Sequence, residues 1–278
     1  MSVKVSEEDL QGFLDKAIDL ARTSGKVMRE AFYKDKKVDR KTNHADLVTE
    51  TDGAIERSVI AALKEEYPDH RFIGEETAVD GKPCNFTDDP TWILDPIDGT
   101  TNFIHGIPDF AFSLGLTVNK EPVVGVIYLP IPDMMYTAIT GKGAYCNGKK
   151  ITANVIHEVS QALVMSEGGN GRDESIMRNH SSNLHEILTH SRGLRAYGST
   201  AIDLCKLASG QGEVYVQYDL HCWDMAAGVV LVREAGATVM DPTGSELDLM
   251  GRRVLVATSE SLAREISAML SHISNGRD

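Results

Sequence analysis

Trp92-Ile93-Leu94-Asp95-Pro96-Ile97-Asp98-Gly99-Thr100-Thr101-Asn102-Phe103 is the stretch from which the rest of the chain is read. Its three leading apolar residues have the length and character of a short buried strand. Asp95 and Asp98 then arrive at the strand's carboxyl end, where open α/β sheets hold their ligands. Gly99 lets the backbone come close to a ligand. A helix beginning at Thr100 would turn the N–H groups of Gly99 and Thr100 toward an anion. Carboxylates repel a phosphate unless a divalent cation lies between them, so the stretch points to metal-bridged phosphate chemistry. Asp-Pro and Asp-Gly are also ordinary turn dipeptides, and the reading needs company.

Two further acidic positions supply it. Glu75-Glu76 follows the apolar run Arg71-Phe72-Ile73-Gly74, and Asp224 follows Trp223 just ahead of the small-residue helix Met225-Ala226-Ala227-Gly228-Val229-Val230. Each puts a carboxylate at a strand end or a helix start. Acids there also serve as plain capping residues, which is the competing account of Asp224.

With these elements in order, the chain resembles the inositol monophosphatase family of the lithium-sensitive, magnesium-dependent phosphatase superfamily, from end to end. The resemblance rests on Gly74-Glu75-Glu76, on Asp95 through Phe103, and on Trp223-Asp224-Met225-Ala226-Ala227-Gly228. It extends to Lys41 with Asp46 through Asp52, the Gly198-Ser199-Thr200-Ala201 turn, His221-Cys222, and Asp248 through Arg253.

The resemblance implies a layered αβαβα sandwich of the inositol monophosphatase and fructose bisphosphatase type. It implies hydrolysis of inositol monophosphate with two or three Mg²⁺ ions, inhibition by lithium, and a homodimer. Glu75, Asp95 and the Ile97 carbonyl would hold the first ion, and Asp95, Asp98 and Asp224 the second. A third would lie near Glu75 and Glu76. All are hard oxygen donors of the kind Mg²⁺ takes, and two ions would clamp the attacking and leaving oxygens of an in-line displacement. A metal-bound water would be the nucleophile, oriented by Thr100 with Asp52 behind it. The N–H groups of Gly99 and Thr100 would hold the phosphate. Asp98, Asp224, the Gly198-Ser199-Thr200 turn and Gln217 would meet the alcohol. The chain departs from the animal enzymes at Gln217, where they carry Glu, and more loosely at Asn170, where Ser is common. A neutral amide grips a polyol less firmly than a carboxylate does, so relaxed specificity is expected.

Composition agrees. The chain has 278 residues, 42% of them hydrophobic and 25% charged, enough to bury a large core. A net charge of −13 argues against a nucleic-acid or anionic-membrane surface. Cys84, Cys146, Cys205 and Cys222 are scattered without a Cys-x-x-Cys pair, and neither a zinc site nor a disulfide framework is indicated. The early acids Glu7, Glu8 and Asp9 do not fit a signal peptide, and no apolar run is long enough to span a bilayer. A cytoplasmic protein acting on a small phosphate ester is expected.

Helical spacing from Ser6 to Phe32 predicts a long first helix, and a second pattern from Asp52 stops at Tyr67-Pro68. From Trp92 to about Lys150 strands dominate, with an Asn147-Gly148 hairpin turn, and an antiparallel sheet is expected. Helix and strand alternate afterwards: 201–208 helical, 214–218 extended, 226–234 helical, 238–240 and 254–257 extended, and a last helix from about Ser261. One unit of two subdomains follows, about 1–152 and 153–278.

Three other readings fit the residues less well. A haloacid-dehalogenase-type phosphatase needs one residue between its two acids, where this chain has two. An EF-hand starting at Asp95 needs Gly at its sixth position and Glu at its twelfth, but Thr100 and Gly106 stand there. A sister phosphatase for a nucleotide 3′-phosphate or a sugar bisphosphate should carry extra basic residues for a second phosphate, and around 198–217 only Lys206 is present.

Overall fold

The computed structural model describes all residues but 1, 2, 42, 43, 45, 46, 79–83, 170, 274 and 275, so Asp46 and Asn170 lie outside the described residues. In chain order the elements are α1 (Glu7–Phe32), β1 (Val38–Arg40), β2 (Leu47–Thr49), α2 (Glu50–Glu66), β3 (Arg71–Gly74), β4 (Thr91–Asp98) and α3 (Thr100–His105). There follow β5 (Ala111–Val118), β6 (Glu121–Leu129), β7 (Met134–Ile139), β8 (Gly143–Cys146), β9 (Lys149–Ile151), β10 (Leu163–Met165), α4 (Glu174–His190) and β11 (Gly193–Arg195). The last are α5 (Thr200–Ala208), β12 (Val214–Tyr218), α6 (Cys222–Glu234), β13 (Thr238–Met240), β14 (Arg253–Ala257) and α7 (Glu260–Met269).

Two larger sheets result, ordered β3-β4-β5-β6-β7-β8-β9 and β11-β10-β12-β14-β13. The first is antiparallel from β4 to β9, as expected over 92–150, and β3 joins its edge by pairing parallel with β4. That pairing brings the residues after Gly74 beside those after Leu94, and Glu75 N–H donates to the Leu94 carbonyl at 3.2 Å.

Alternation along the strands builds the layers, since successive side chains leave a strand on opposite faces. Trp92, Leu94, Phe112, Leu114 and Leu116 enter a core shared with Ala17 and Met28 of α1 and Ile55 and Val59 of α2. Their neighbours Ile93 and Ala111, with Ile127 of β6, enter another, shared with Leu204 of α5 and Ala226 and Val230 of α6. On the second sheet, Tyr215, Val254 and Val256 join that middle core, while Val214, Val216, Leu255 and Ala257 pack with Ile187 of α4 and Leu262 and Ile266 of α7. The order is therefore α1/α2, sheet, α5/α6, sheet, α4/α7, which is the expected αβαβα sandwich.

The middle layer is drawn tight by glycine. Gly115 and Gly125 face each other across β5 and β6. A Cβ on Gly115 would lie 2.9 Å from the Ala226 backbone, and one on Gly125 2.3 Å from the Ala227 carbonyl oxygen. Only glycine lets α6 lie this close to the sheet, and the start of α6 is thereby set against the strands that carry the acids. Among the described residues no helix is long and apolar enough to cross a membrane.

Candidate active site

The strand expected over 92–94 runs on through Asp98, so the acids lie within it rather than past its end. Two residues three apart on a regular strand face opposite ways. Here Asp95 pairs with Ser113 and Asp98 with Ala111, three steps on β4 against two on β5. This β-bulge reverses the parity and turns both acids toward the α5/α6 layer, while Ile97 joins the Trp92 side. Pro96, which has no N–H for the ladder, suits the irregularity, and Asp95 Oδ1 fixes it by accepting the Ile97 N–H at 2.9 Å. Gly99 then takes φ +93°, a left-handed conformation that starts α3 directly off the strand.

Asp224, in the first turn of α6, completes the group. One carboxylate oxygen from each of Asp95, Asp98 and Asp224 lies within 4.8 Å of the others. Asp98 Oδ2 accepts the Ser199 hydroxyl at 2.9 Å and the Ala201 N–H at 2.5 Å, tying the cluster to the Gly198–Ala201 turn. Glu75 and Glu76 stand at the rim, bridged by the Lys41 ammonium at 2.6 and 2.8 Å. Behind them the buried Glu56 accepts the Glu76 N–H at 2.8 Å.

The electrostatics are those of a site short of positive charge. Burial pushes Asp95 well above the ordinary carboxylate range, with Glu75, Asp98 and Asp224 adding to it. Burial raises Asp98 to about 8, with Asp224 the next cause, and it raises Asp224 to about 7. Glu76 rises to about 7 through burial and Glu75. Burial alone would lower Lys41, but the two glutamates outweigh it and keep the ammonium charged. Acids packed this way stay protonated or take a cation. With oxygen the only donor type present, the set fits a hard divalent ion.

Asp52 and Thr100 meet as well. The Thr100 hydroxyl donates to the Ile97 carbonyl at 2.9 Å and lies 3.4 Å from Asp52 Oδ1. Asp52 Oδ2 accepts the Thr49 N–H at 3.1 Å and the Thr49 hydroxyl. Asp52 thus caps α2 with one oxygen and faces Thr100 with the other, and burial pushes it up to about 6.

On the expected alcohol side, Thr200 hydrogen-bonds the Tyr215 hydroxyl at 2.8 Å. Gln217 is only 3% exposed, and its amide is engaged internally. Its Oε1 accepts the Glu167 N–H at 2.8 Å and the Ser166 hydroxyl at 3.3 Å, and its Nε2 donates to the Tyr218 carbonyl at 3.0 Å. Glu167 in turn accepts the Tyr197 N–H at 2.7 Å, next to Gly198. Asp203, in α5, is fully buried without a hydrogen-bond partner among the described residues, and burial and Glu167 push it well up. Sequence reasoning missed Glu56, Glu167 and Asp203 and assigned Lys41 no role. Only Lys41 left a signal, as part of the family resemblance.

A five-layer sandwich that gathers acids from a bulged strand and a helix start beside a strand–glycine–helix turn suits cation-assisted hydrolysis of a phosphate ester, the chemistry of phosphoric monoester hydrolases. The inositol monophosphatase family model matches residues 9–274. Human inositol monophosphatase 2 is 44% identical over 263 residues, 94% of this chain and 91% of its own length. The solved inositol monophosphatase of Anabaena (Nostoc) sp. PCC 7120 superposes with a TM-score of 0.81 at 30% identity, covering 94% of this chain and 96% of its own. The 2′AMP-bound SaIMPase-II gives 0.76 at 30%, with 93% of each chain covered. The chain belongs to the inositol monophosphatase family.

Proposed function

We propose that the chain is a Mg²⁺-dependent, lithium-inhibited phosphatase that hydrolyses inositol monophosphate to inositol and phosphate. The observation that supports this most is the convergence of Asp95, Asp98 and Asp224 within 4.8 Å. In this reading Glu75, Asp95 and the Ile97 carbonyl would hold one ion, Asp95, Asp98 and Asp224 would hold a second, and Glu75 and Glu76 would flank a third. Bound ions would supply Lewis acidity toward phosphoryl oxygen and make a coordinated water easier to deprotonate.

The rest belongs to the chain's own groups. A water beside Thr100 gives its proton to the threonine oxygen, and the threonine hydroxyl proton passes to Asp52, whose raised pKa suits a base near neutral pH. The N–H groups of Gly99 and Thr100 meet the phosphate. Asp98 and Asp224 face the alcohol together with the Gly198–Thr200 turn, which Asp98 itself holds through Ser199 and Ala201. Gln217 acts from behind, by fixing Ser166 and Glu167. A homodimeric assembly is part of the reading.

Phosphate release from inositol 1-phosphate and from adenosine 3′,5′-bisphosphate, each with Mg²⁺, tests it. Inositol 1-phosphate should be the better substrate, its turnover should stop with a chelator, and Li⁺ at roughly tens of millimolar should inhibit uncompetitively. Preference for the bisphosphate would assign the chain to the nucleotide branch of the superfamily. A second reading, a broader range of small phosphate esters, is favoured by the 2′AMP bound to SaIMPase-II.

A further inference from the structure

The turn from Asp248 to Arg253 takes no part in the chemistry above, yet it clamps the approach to the helix that delivers Asp224. Arg252 donates to Asp219 Oδ1 at 2.9 Å, to the Leu220 carbonyl at 3.1 Å and to His221 Nε2 at 3.2 Å, and its own carbonyl accepts the Leu220 N–H at 3.0 Å. Residues 276–278 lie across the same turn. Arg277 pairs with Asp248, and Asp278 N–H donates to the Met250 carbonyl at 3.1 Å.

This docking sets the Asp278 carboxylate, 4% exposed, over the first turn of α6. Its Oδ1 receives His221 Nδ1–H at 2.6 Å and its Oδ2 the Cys222 N–H at 2.7 Å. Arg252 can only donate, so His221 Nε2 presents a lone pair and the ring proton sits on Nδ1, facing Asp278. The imidazole also stacks on Trp223, with centroids 4.4 Å apart. The His221 N–H donates to Asp224 Oδ2 at 2.8 Å. One oxygen of Asp224 is thus pinned by a residue that Asp278 itself holds, while an Asp224 oxygen lies in the cluster with Asp95 and Asp98.

We infer that Asp278 is a positioning residue for Asp224, acting through His221 and Cys222. The inference rests on reading Asp224 as a cation ligand. Without the Asp278 carboxylate, Cys222 N–H becomes an orphan donor at a helix start, His221 loses the acceptor that fixes its ring, and Asp224 is held less firmly. Partners one step removed from a metal typically set affinity by about 10–100-fold.

Mg²⁺ titrated calorimetrically into the substrate-free wild-type protein, Asp278→Ala, Asp278→Asn and Asp224→Asn decides the matter, with melting temperature and substrate KM at saturating Mg²⁺ as companions. Asp278→Ala should bind Mg²⁺ about 10-fold more weakly, at the lower end of that range, with KM unchanged. Asp278→Asn, which keeps one acceptor oxygen, should fall between. Wild-type affinity in Asp278→Ala beside a loss in Asp224→Asn overturns the inference. So does a drop in melting temperature with KM and Mg²⁺ affinity failing together, the mark of a plain structural brace. Wild-type affinity in Asp224→Asn removes the metal reading instead. Where Asp278→Ala does not fold, Asp278→Asn with wild-type affinity is sufficient to reject the proposal.

Discussion

Helices α1 and α6 begin with the same local device and put it to different ends. At α1, Asp9 accepts the Ser6 N–H at 3.0 Å, and Ser6 Oγ accepts the Asp9 N–H at 3.1 Å. At α6, Asp224 stands in the same position and accepts the His221 N–H at 2.8 Å. Yet Asp9 lies in solvent, and its hydrogen bonds with Ser6 hold it below the ordinary carboxylate range. Asp224 is pushed up to about 7 by burial. A cap is a property of four consecutive residues, whereas a site depends on what the fold brings from elsewhere: here Asp95 and Asp98 on the bulged strand, and Glu75 from just past the end of the strand beside it. Asp52 at α2 stands between the two cases, capping with one oxygen and facing Thr100 with the other.

The largest effect should separate the two ends outright. Asp224→Asn should reduce Mg²⁺-dependent phosphate release to background, while Asp9→Asn leaves turnover unchanged. Comparable losses in both would break the comparison.

Asp52 sharpens it. Asp52→Asn and Thr100→Ala should each lower kcat by about 10²-fold, the common worth of a positioned acid–base group, with KM and Mg²⁺ affinity little changed. A loss confined to stability would return Asp52 to the class of Asp9.

The smallest effect is on stability without a cation. Asp98 has a raised folded pKa of about 8, against about 3.9 in an unfolded chain. Between those values the folded chain keeps a proton that the unfolded chain has lost, so stability falls as pH rises across that window. Scanning calorimetry in chelator should show a lower melting temperature at pH 8 than at pH 6. Asp98→Asn should raise it at pH 8 by about 2–4 °C or more, the shift that roughly 1 kcal/mol makes in a chain of this size. Asp9, with its pKa lowered, works in the opposite sense, and Asp9→Asn should bring a small decrease.

Much of this was legible in the sequence because the acids stand at junctions, each beside an apolar run that becomes a strand or a helix. The strands of the first sheet read clearly for the same reason, since their alternation sorts them between two cores. What did not read was long-range or broke the expected period. The bulge at Pro96-Ile97 is set by pairing with β5, so a strand ending at Leu94 was expected where one runs to Asp98. Helix α4 went unanticipated because its inward face carries Asn179 and Asn183, whose amides donate to the Ser271 carbonyl at 2.7 and 3.0 Å; polar residues on the buried side hide a helical period. Lys41 meets Glu75 and Glu76 from more than thirty residues away, and Asp278 meets His221 from more than fifty. No local pattern announces such pairs.

On the proposed reading, the acids around Asp98 and Asp224, raised chiefly by burial with neighbouring carboxylates adding to it, share a divalent cation that the capping Asp9 does not bind. This sharing is tested most directly by titrating Mg²⁺ into the substrate-free protein at pH 7 in two buffers of different ionisation enthalpy. Because metal ligands must be deprotonated, binding should release about one proton or more per chain, and Asp98→Asn should reduce that release while Asp9→Asn leaves it intact. Binding with no proton release, or no binding at all, would contradict the account.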